Sequence, residues 1–345
     1  MNIKEKLINK IKKNGSVNVG KFIEICQFGE EGYYLIANPL GRSNDFITSP
    51  EISQMFGEIF GIFLINYWEK KIRTNFNLVE LGPGKGTLLN DILRTSSVNK
   101  KFLNSINLTL IEKNKSLIDI QKNIVDFKNI SWSKEFNVSN KNIPSIIYSN
   151  EFFDCFPVRQ FHKKEEWFEK YVDYDEVEKN FTFVSQKVQD NIILKYLEKF
   201  ESVKVAEIAN SRDEYFKSVC KFIKQYKGVF VTVDYGYKNP PDHFTLQTIY
   251  NHKKTHLFEN IGNQDITAHV DFDSLIFIAN EYNLKIDTYC SQKDFLISCG
   301  IEKRLKKLQK NKNEEDFKKL NLAYDRLVSK SQMGEIFKVL VISCF

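Results

Sequence analysis

Leu78-Val79-Glu80-Leu81-Gly82-Pro83-Gly84-Lys85-Gly86-Thr87-Leu88-Leu89 is the stretch that decides how this chain is read. Leu78 to Leu81 has the short, continuous apolar character of a buried strand, and Leu88, Leu89, Ile92 and Leu93 return at helical spacing. Between them Gly82, Gly84 and Gly86 allow a tight turn and let a ligand approach the peptide planes. The following helix aims its first, unpaired amides at the same space. Spacing separates the ligand classes such a turn can serve. A dinucleotide fingerprint needs Gly-x-Gly-x-x-Gly, but Thr87 stands at the third position. A phosphate-binding loop needs Gly-Lys-Ser/Thr after four spacers, which is also absent.

Working outward, Leu108 to Glu112 reads as a second strand, with Leu117, Ile118, Ile120 and Ile124 on the helix after it. Ile130-Ser131-Trp132 suits a third strand, Ser145 to Asn150 a fourth and Gly228 to Tyr235 a fifth; Leu284 to Tyr289 and Phe337 to Ile342 complete the set. Strands alternating with helices predict an α/β fold: a mostly parallel sheet with helices on both faces. Upstream, helices are expected from Met1 to Lys13, ended by Gly15, and over Val17 to Phe28; Gly29 to Thr48 reads as irregular. Ser49 as N-cap, Pro50 at the first position and Glu51 in the first turn open a long helix. The residues between the fourth and fifth strands exceed a normal crossover. Val158 to Phe161, Trp167 to Val172 and Asn180 to Val184 look like short antiparallel strands; Val188 to Phe200 and Asp213 to Tyr226 look helical. The loop-rich stretch from Pro241 to Val270 is a candidate lid, and Phe272 to Tyr282 a helix.

The expected organisation has four parts: an N-terminal helical segment (1–76) contributing to the cofactor site, a first half of the sheet domain (77–154), an inserted substrate or partner subdomain (155–227), and a second half with the lid (228–345). The 345 residues carry a net charge of +6, from 50 basic and 44 acidic side chains, too balanced for a strong nucleic-acid binder. Hydrophobic residues make up 42%, enough for a substantial core and against general disorder. Six cysteines form no Cys-x-x-Cys pair, and the N-terminus has neither an apolar signal region nor a presequence pattern, so free thiols in a reducing compartment are expected. Ile59 to Ile65 is too short to span a bilayer, which predicts no membrane insertion. His252 and His256 have no evident third ligand, so no metal is expected. The Lys-rich run Glu302 to Lys319 reads as a solvated helix face.

Acid-x-Gly-x-Gly-x-Gly, here Glu80 to Gly86, is the first motif of class I S-adenosyl-L-methionine-dependent methyltransferases. That cofactor has no pyrophosphate, so the third glycine of the dinucleotide motif is not needed. Glu112, at the end of the second strand, can accept hydrogen bonds from both ribose hydroxyls.

Asn150-Glu151-Phe152-Phe153-Asp154 sits at the end of the fourth strand, and α/β folds place their ligands beyond the carboxyl ends of the strands. Two readings of it compete. It can be a variant of the Asn-Pro-Pro-aromatic loop of nucleic-acid amino-methyltransferases, with Phe153 stacking on a flipped base. Alternatively, Glu151 and Asp154 clamp a cationic acceptor; a guanidinium is planar and suited to carboxylate pairing. Glu-Phe in place of Pro-Pro favours the cation.

These segments together resemble the MidA-type methyltransferases, a family that includes a mitochondrial complex I assembly factor. The resemblance runs through Gly32-Tyr33-Tyr34, Pro39-Leu40-Gly41, Asp45 to Glu58 and Val79 to Thr87. It continues through Asn150 to Asp154, Phe156 to Phe161, Asp234-Tyr235-Gly236, Asp265 to Phe272, Met333-Gly334-Glu335 and Phe337 to Leu340. It implies a class I methyltransferase fold, S-adenosyl-L-methionine as cofactor and protein arginine as acceptor. It also implies symmetric dimethylation of an arginine on a core complex I subunit. Lys85 departs from the Arg frequent there. With the family in view, the cofactor seat is expected to be Gly82, Pro83, Gly84 and Gly86 with Glu80, Glu112 for the ribose, and Asn150, Ser49 and Gln54 at its margin. Glu151 and Asp154 are the expected catalytic pair, with Phe153, His269 and Asp271 as acceptor-side candidates. A bacterial, cytoplasmic member is expected, or a mitochondrial-matrix protein in a eukaryote. Two other functions stay open: methylation of nucleic acid or a small molecule, and a non-catalytic assembly factor that keeps the fold.

Overall fold

The computed structural model describes residues 2–36 and 48–345. Pro39-Leu40-Gly41 and Asp45-Phe46-Ile47 lie outside the described residues. The chain forms two compact units, each built from separated segments: 48–152, 216–236 and 274–345 make one, and 2–36, 153–215 and 237–273 the other. The structure therefore divides the chain at other points than the four expected parts. Residues 2–36 and 237–273 group with the insertion, and 48–76 with the sheet domain.

In the first unit, elements are numbered in chain order. They include α1 (Ser49–Ile52), α2 (Gln54–Lys71), β1 (Phe76–Leu81), α3 (Thr87–Ser96), β2 (Ile106–Ile111), α4 (Lys115–Ile124), β3 (Ser131–Ser133), β4 (Ser145–Asn150), β5 (Gly228–Tyr237), β6 (Lys285–Ser291), α5 (Ile301–Gln309), α6 (Glu314–Val328) and β7 (Phe337–Cys344). The strand order is β3-β2-β1-β4-β5-β7-β6. β1 to β5 are parallel, while β7 runs antiparallel to both β5 and β6. Parallel strands covered on both faces need near-continuous apolar sequence, and every residue of β1 is buried. The order reverses beside β1, which places the carboxyl ends of β1 and β4 at the topological switch point.

Helix α2 packs on α3 through Gly57 and Gly61; a Cβ at Gly57 would sit 2.5 Å from Asp91 Cβ. The expected helix start is displaced. Thr48, not Ser49, is the N-cap residue of α1; the helix stops after Ile52, and Ser53 accepts from Met55 N at 3.2 Å to cap α2. Ser49 N–H is spent on the Glu151 carboxylate instead, at 2.9 Å. The Lys-rich run is two helices, α5 and α6. Arg304 of α5 holds the buried Glu58 with two bonds of 2.6 and 2.7 Å, fastening the pair to α2.

In the second unit, Arg159–Lys163, Trp167–Asp175 and Asn180–Lys187 form the expected antiparallel strands. Val205–Ile208 adds an edge to them, and Val17–Asn18 pairs with Tyr171 and Val172. The N-terminal helices Ile3–Asn14 and Val19–Phe28 supply Leu7, Val19, Phe22 and Ile23 to its core. The segment read as a loop-rich lid contains a three-stranded antiparallel sheet of Gln247–Tyr250, Lys253–Lys254 and Asp265–Thr267. Leu257, Ile266 and Ala268 are buried in the unit's core, so burial and ladder pairing order this stretch.

Candidate active site

The glycine turn after β1 has the backbone its sequence demands. Gly82, Gly84 and Gly86 have φ of 63°, 54° and 83°, a region that other residues enter at a cost of about 1–2 kcal/mol. A Cβ on Gly82 would lie 2.7 Å from Cδ2 of Phe152, so the turn is closed sterically as well. Gly82→Val combines both penalties. It is expected to weaken S-adenosyl-L-methionine binding at least ~100-fold while lowering stability by about 2–4 kcal/mol. Titration calorimetry and thermal melting read the two effects separately; wild-type affinity in a folded variant would remove the turn from the site.

Two acids stand beside the turn. Glu80, 2% exposed, accepts from Tyr148 Oη at 3.0 Å. Burial, opposed by that bond and reinforced by the charge of Glu112, pushes its carboxyl up to about 8. Glu112 follows β2 and accepts from Asn114 N at 2.8 Å, and burial raises its carboxyl too. Gln121 of α4, fully buried, donates to Gly84 O at 2.7 Å and lies 3.4 Å from Glu112 Oε2; its own amide oxygen accepts from Trp132 Nε1 at 3.0 Å. Lys85 pairs with Glu51 at 3.8 Å.

At the end of β4, Glu151 has φ of 49°, uncommon for a glutamate. Its N–H donates to Val233 O at 2.9 Å. Its Oε1 accepts from Ser49 N at 2.9 Å and from Asn150 Nδ2 at 3.1 Å. The Asn150 amide is thereby oriented, and its Oδ1 is buried with no hydrogen-bond partner among the described residues. A buried acceptor left unmet points to a ligand that donates to it. Phe152 N–H donates to Asp234 Oδ2 at 3.1 Å.

The unit thus joins Ser49, Asn150 and Glu151 in one hydrogen-bonded group, and the glycine turn and Glu112, through Gln121, in another, with Glu80 bonded to Tyr148. Pro83 is buried within the turn, whereas Gln54 is exposed at the start of α2. The remaining candidates belong to the second unit. Phe153 is 2% exposed and packs against Phe156 and Tyr215. Asp154 is buried, and its carbonyl accepts from Ala268 N at 2.9 Å. Tyr34 donates to Asp265 Oδ1 at 2.6 Å, and burial with the charges of Asp265, Cys155 and Asp154 raises its hydroxyl well above the ordinary value. His269 N–H donates to Thr245 Oγ1 at 2.9 Å, and burial lowers its imidazole. Asp271 is buried and paired with Lys199 at 3.3 Å. Gln121, Trp132 and Tyr148 join the site without any signal in the sequence. Among the described residues no three His, Cys, Asp or Glu side chains are grouped to hold a metal, and no helix is long and apolar enough to cross a membrane.

The residues present fit a cationic nucleoside. Glycine peptides admit close approach, the carboxyls of Glu80 and Glu112, both raised by burial, stand beside the turn, and Asn150 Oδ1 is a buried acceptor unmet among the described residues. With the strand order, this defines a class I S-adenosyl-L-methionine-dependent methyltransferase. Residues 59–290 match the family model Methyltransf_28, described as "Putative S-adenosyl-L-methionine-dependent methyltransferase". The chain belongs to that family, and S-adenosyl-L-methionine is its cofactor. It is 31% identical over 360 residues to the mitochondrial protein arginine methyltransferase NDUFAF7 of Homo sapiens, covering 96% of this chain and 81% of that one. Its identity to the Caenorhabditis elegans homologue is 29% over 372 residues, covering 97% and 85% of the two chains. The fold matches a crystal structure from Burkholderia thailandensis bound to S-adenosyl-homocysteine. The TM-score is 0.86 at 22% identity, over 99% of this chain and 92% of that one.

Proposed function

We propose that this chain methylates arginine side chains of a protein substrate, with Glu151 as the principal acceptor-binding carboxylate and Asp154 as its second. One observation carries the reading. Glu151 is held in an unfavourable backbone conformation at the end of β4, with one carboxylate oxygen fixed by Ser49 and Asn150. Such conformations persist where the surroundings enforce them, and they cluster at functional sites.

S-adenosyl-L-methionine supplies an electrophilic methyl group on a sulfonium. Gly82, Pro83, Gly84 and Gly86 seat it, Glu112 accepts from the ribose, and Glu80, Ser49, Gln54 and Asn150 complete the surroundings. A fixed carboxylate draws the guanidinium charge toward the nitrogens it holds and leaves the remaining nitrogen the better nucleophile. It also aligns that nitrogen for attack. The methylated nitrogen sheds one proton as the guanidinium returns to a single charge; a Glu151 carboxylate oxygen takes it and passes it to water. Phe153, His269 and Asp271 are assigned supporting roles on the acceptor side. The burial of Phe153 against Phe156 and Tyr215 speaks against a base-stacking platform, and so against nucleic acid as the acceptor.

The names of the relatives support a protein acceptor, and a respiratory complex I subunit is the first one to test. The compartment follows the host, mitochondrial matrix in a eukaryote and cytoplasm in a bacterium. Purified chain is incubated with methyl-labelled cofactor and host lysate, and the labelled material is hydrolysed and resolved into amino acids. Label in methylated arginine is expected. Label in nucleic acid with none in arginine overturns the acceptor, and no binding heat with the cofactor overturns catalysis.

A further inference from the structure

Gln121 lies on α4, thirty-seven residues from the glycine turn, and has no exposed surface. An indole N–H can only donate and a peptide carbonyl can only accept. Because Trp132 Nε1 lies 3.0 Å from one end of the carboxamide and Gly84 O lies 2.7 Å from the other, the amide has one permitted orientation. Its nitrogen faces the turn, and it also lies 3.4 Å from Glu112 Oε2. The peptide unit is planar and trans, so a Gly84 carbonyl held toward α4 turns the Lys85 N–H away from it. We infer that Gln121 is a positioning residue for the cofactor, locking the glycine turn and the Glu112 carboxylate into one rigid arrangement through its single carboxamide. This rests on the reading of that turn and Glu112 as the cofactor seat.

The arrangement has a chemical logic. Glu112 must present oxygens to two hydroxyls, and the turn must present its peptides in a set direction. Coupling them reduces the ordering that ligand binding would otherwise impose. The groups facing Glu112 support the assignment. They are the Asn114 and Lys113 backbone amides and Gln121 as donors, with the Glu80 carboxyl as a nearby acid. Of these three donors, Gln121 is the side chain, and it also bonds the turn.

The test compares S-adenosyl-homocysteine binding by calorimetry across wild type, Gly82→Val, Glu112→Gln, Gln121→Met, Trp132→Phe and the Glu112→Gln/Gln121→Met double variant. Gln121→Met keeps length and volume but removes every hydrogen bond of the amide. It is expected to weaken binding about 10-fold or more, with Trp132→Phe weaker by about 2–5-fold because only the orienting bond is lost. The double variant should lose less than the product of the two single losses, since both act on one assembly. In turnover, KM for the cofactor should rise in Gln121→Met while kcat at saturation stays within about 3-fold. If Gly82→Val and Glu112→Gln lose binding but Gln121→Met and Trp132→Phe keep wild-type affinity, the inference is overturned and the cofactor seat stands. A fall in kcat at unchanged KM overturns it equally. If no variant changes affinity, the seat itself is misplaced and the inference falls with it. Should Gln121→Met fail to fold, Trp132→Phe decides alone: unchanged affinity overturns the inference.

Discussion

Glu151→Gln is expected to lower kcat for methyl transfer by at least ~100–1000-fold, the range found when one preorganised electrostatic group is removed from an active site. Cofactor affinity should stay within about 3-fold of wild type, because the seat after β1 is untouched. The substitution isolates charge from shape. A glutamine carbonyl can still accept from Ser49 N and from Asn150 Nδ2, as Glu151 Oε1 does at 2.9 and 3.1 Å. The backbone bond from the Glu151 N–H to Val233 O is also kept. What disappears is the negative charge that would hold a guanidinium and distribute its positive charge unevenly. Initial rates with labelled cofactor and a substrate peptide or lysate, alongside calorimetry with S-adenosyl-homocysteine, measure both quantities. Wild-type turnover would sink the carboxylate reading outright. A rise in KM for the acceptor at unchanged kcat would assign Glu151 to binding only.

The parts of this site visible in the sequence are those whose physics is local. Gly82, Gly84 and Gly86 are visible because positive φ selects glycine. Glu112 is visible because an acid closing the strand next to a glycine turn is the residue type expected to meet a ribose diol, the role proposed for it. The strand-helix alternation is visible because a buried parallel sheet demands unbroken apolar runs such as Ser145-Ile146-Ile147-Tyr148. Gln121 is hidden for the opposite reason. A polar residue on an amphipathic helix carries no periodic signal, and its partners include Gly84, far back along the chain, and Trp132 on another element. Tyr148 looks like any strand aromatic, although its hydroxyl serves Glu80. The helix start is ambiguous because Ser49-Pro50 and Ser53-Gln54 both satisfy capping rules; the structure forms a helix at each, with Thr48 and Ser53 as the N-cap residues, and the Ser49 N–H goes to Glu151. The second unit is the least legible. Its core unites Leu7 and Phe22 with Val172 and Ile266, and no local pattern announces that three distant segments share one interior.

Glu80→Gln is expected to change the shape of the stability-pH curve, because Glu80 is a buried acid whose environment opposes its ionised form. Its carboxyl moves from an ordinary 4.5 to about 8. At ~1.4 kcal/mol per pH unit, this amounts to on the order of 3–5 kcal/mol of folding free energy. The sign follows from proton counting. Between those two pH values the folded protein keeps a proton on Glu80 that the unfolded chain has released, so stability falls as pH rises. The contribution is fully present below about 4.5 and is lost as pH climbs through about 8. Glutamine stays neutral throughout and can still accept from Tyr148, so the ligand-free variant should lack this decline and be the more stable protein at pH 9. The cost should appear in function. A site that forms an anion with difficulty gains most from a cationic ligand, so cofactor affinity at pH 8 should be lower in the variant than in wild type. Urea midpoints from pH 5 to 9, measured with and without S-adenosyl-L-methionine, test both halves. Parallel curves for the two ligand-free proteins would mean that Glu80 is already ionised and compensated at neutral pH. Equal ligand-induced stabilisation at pH 8 would mean that its charge does not serve the cofactor.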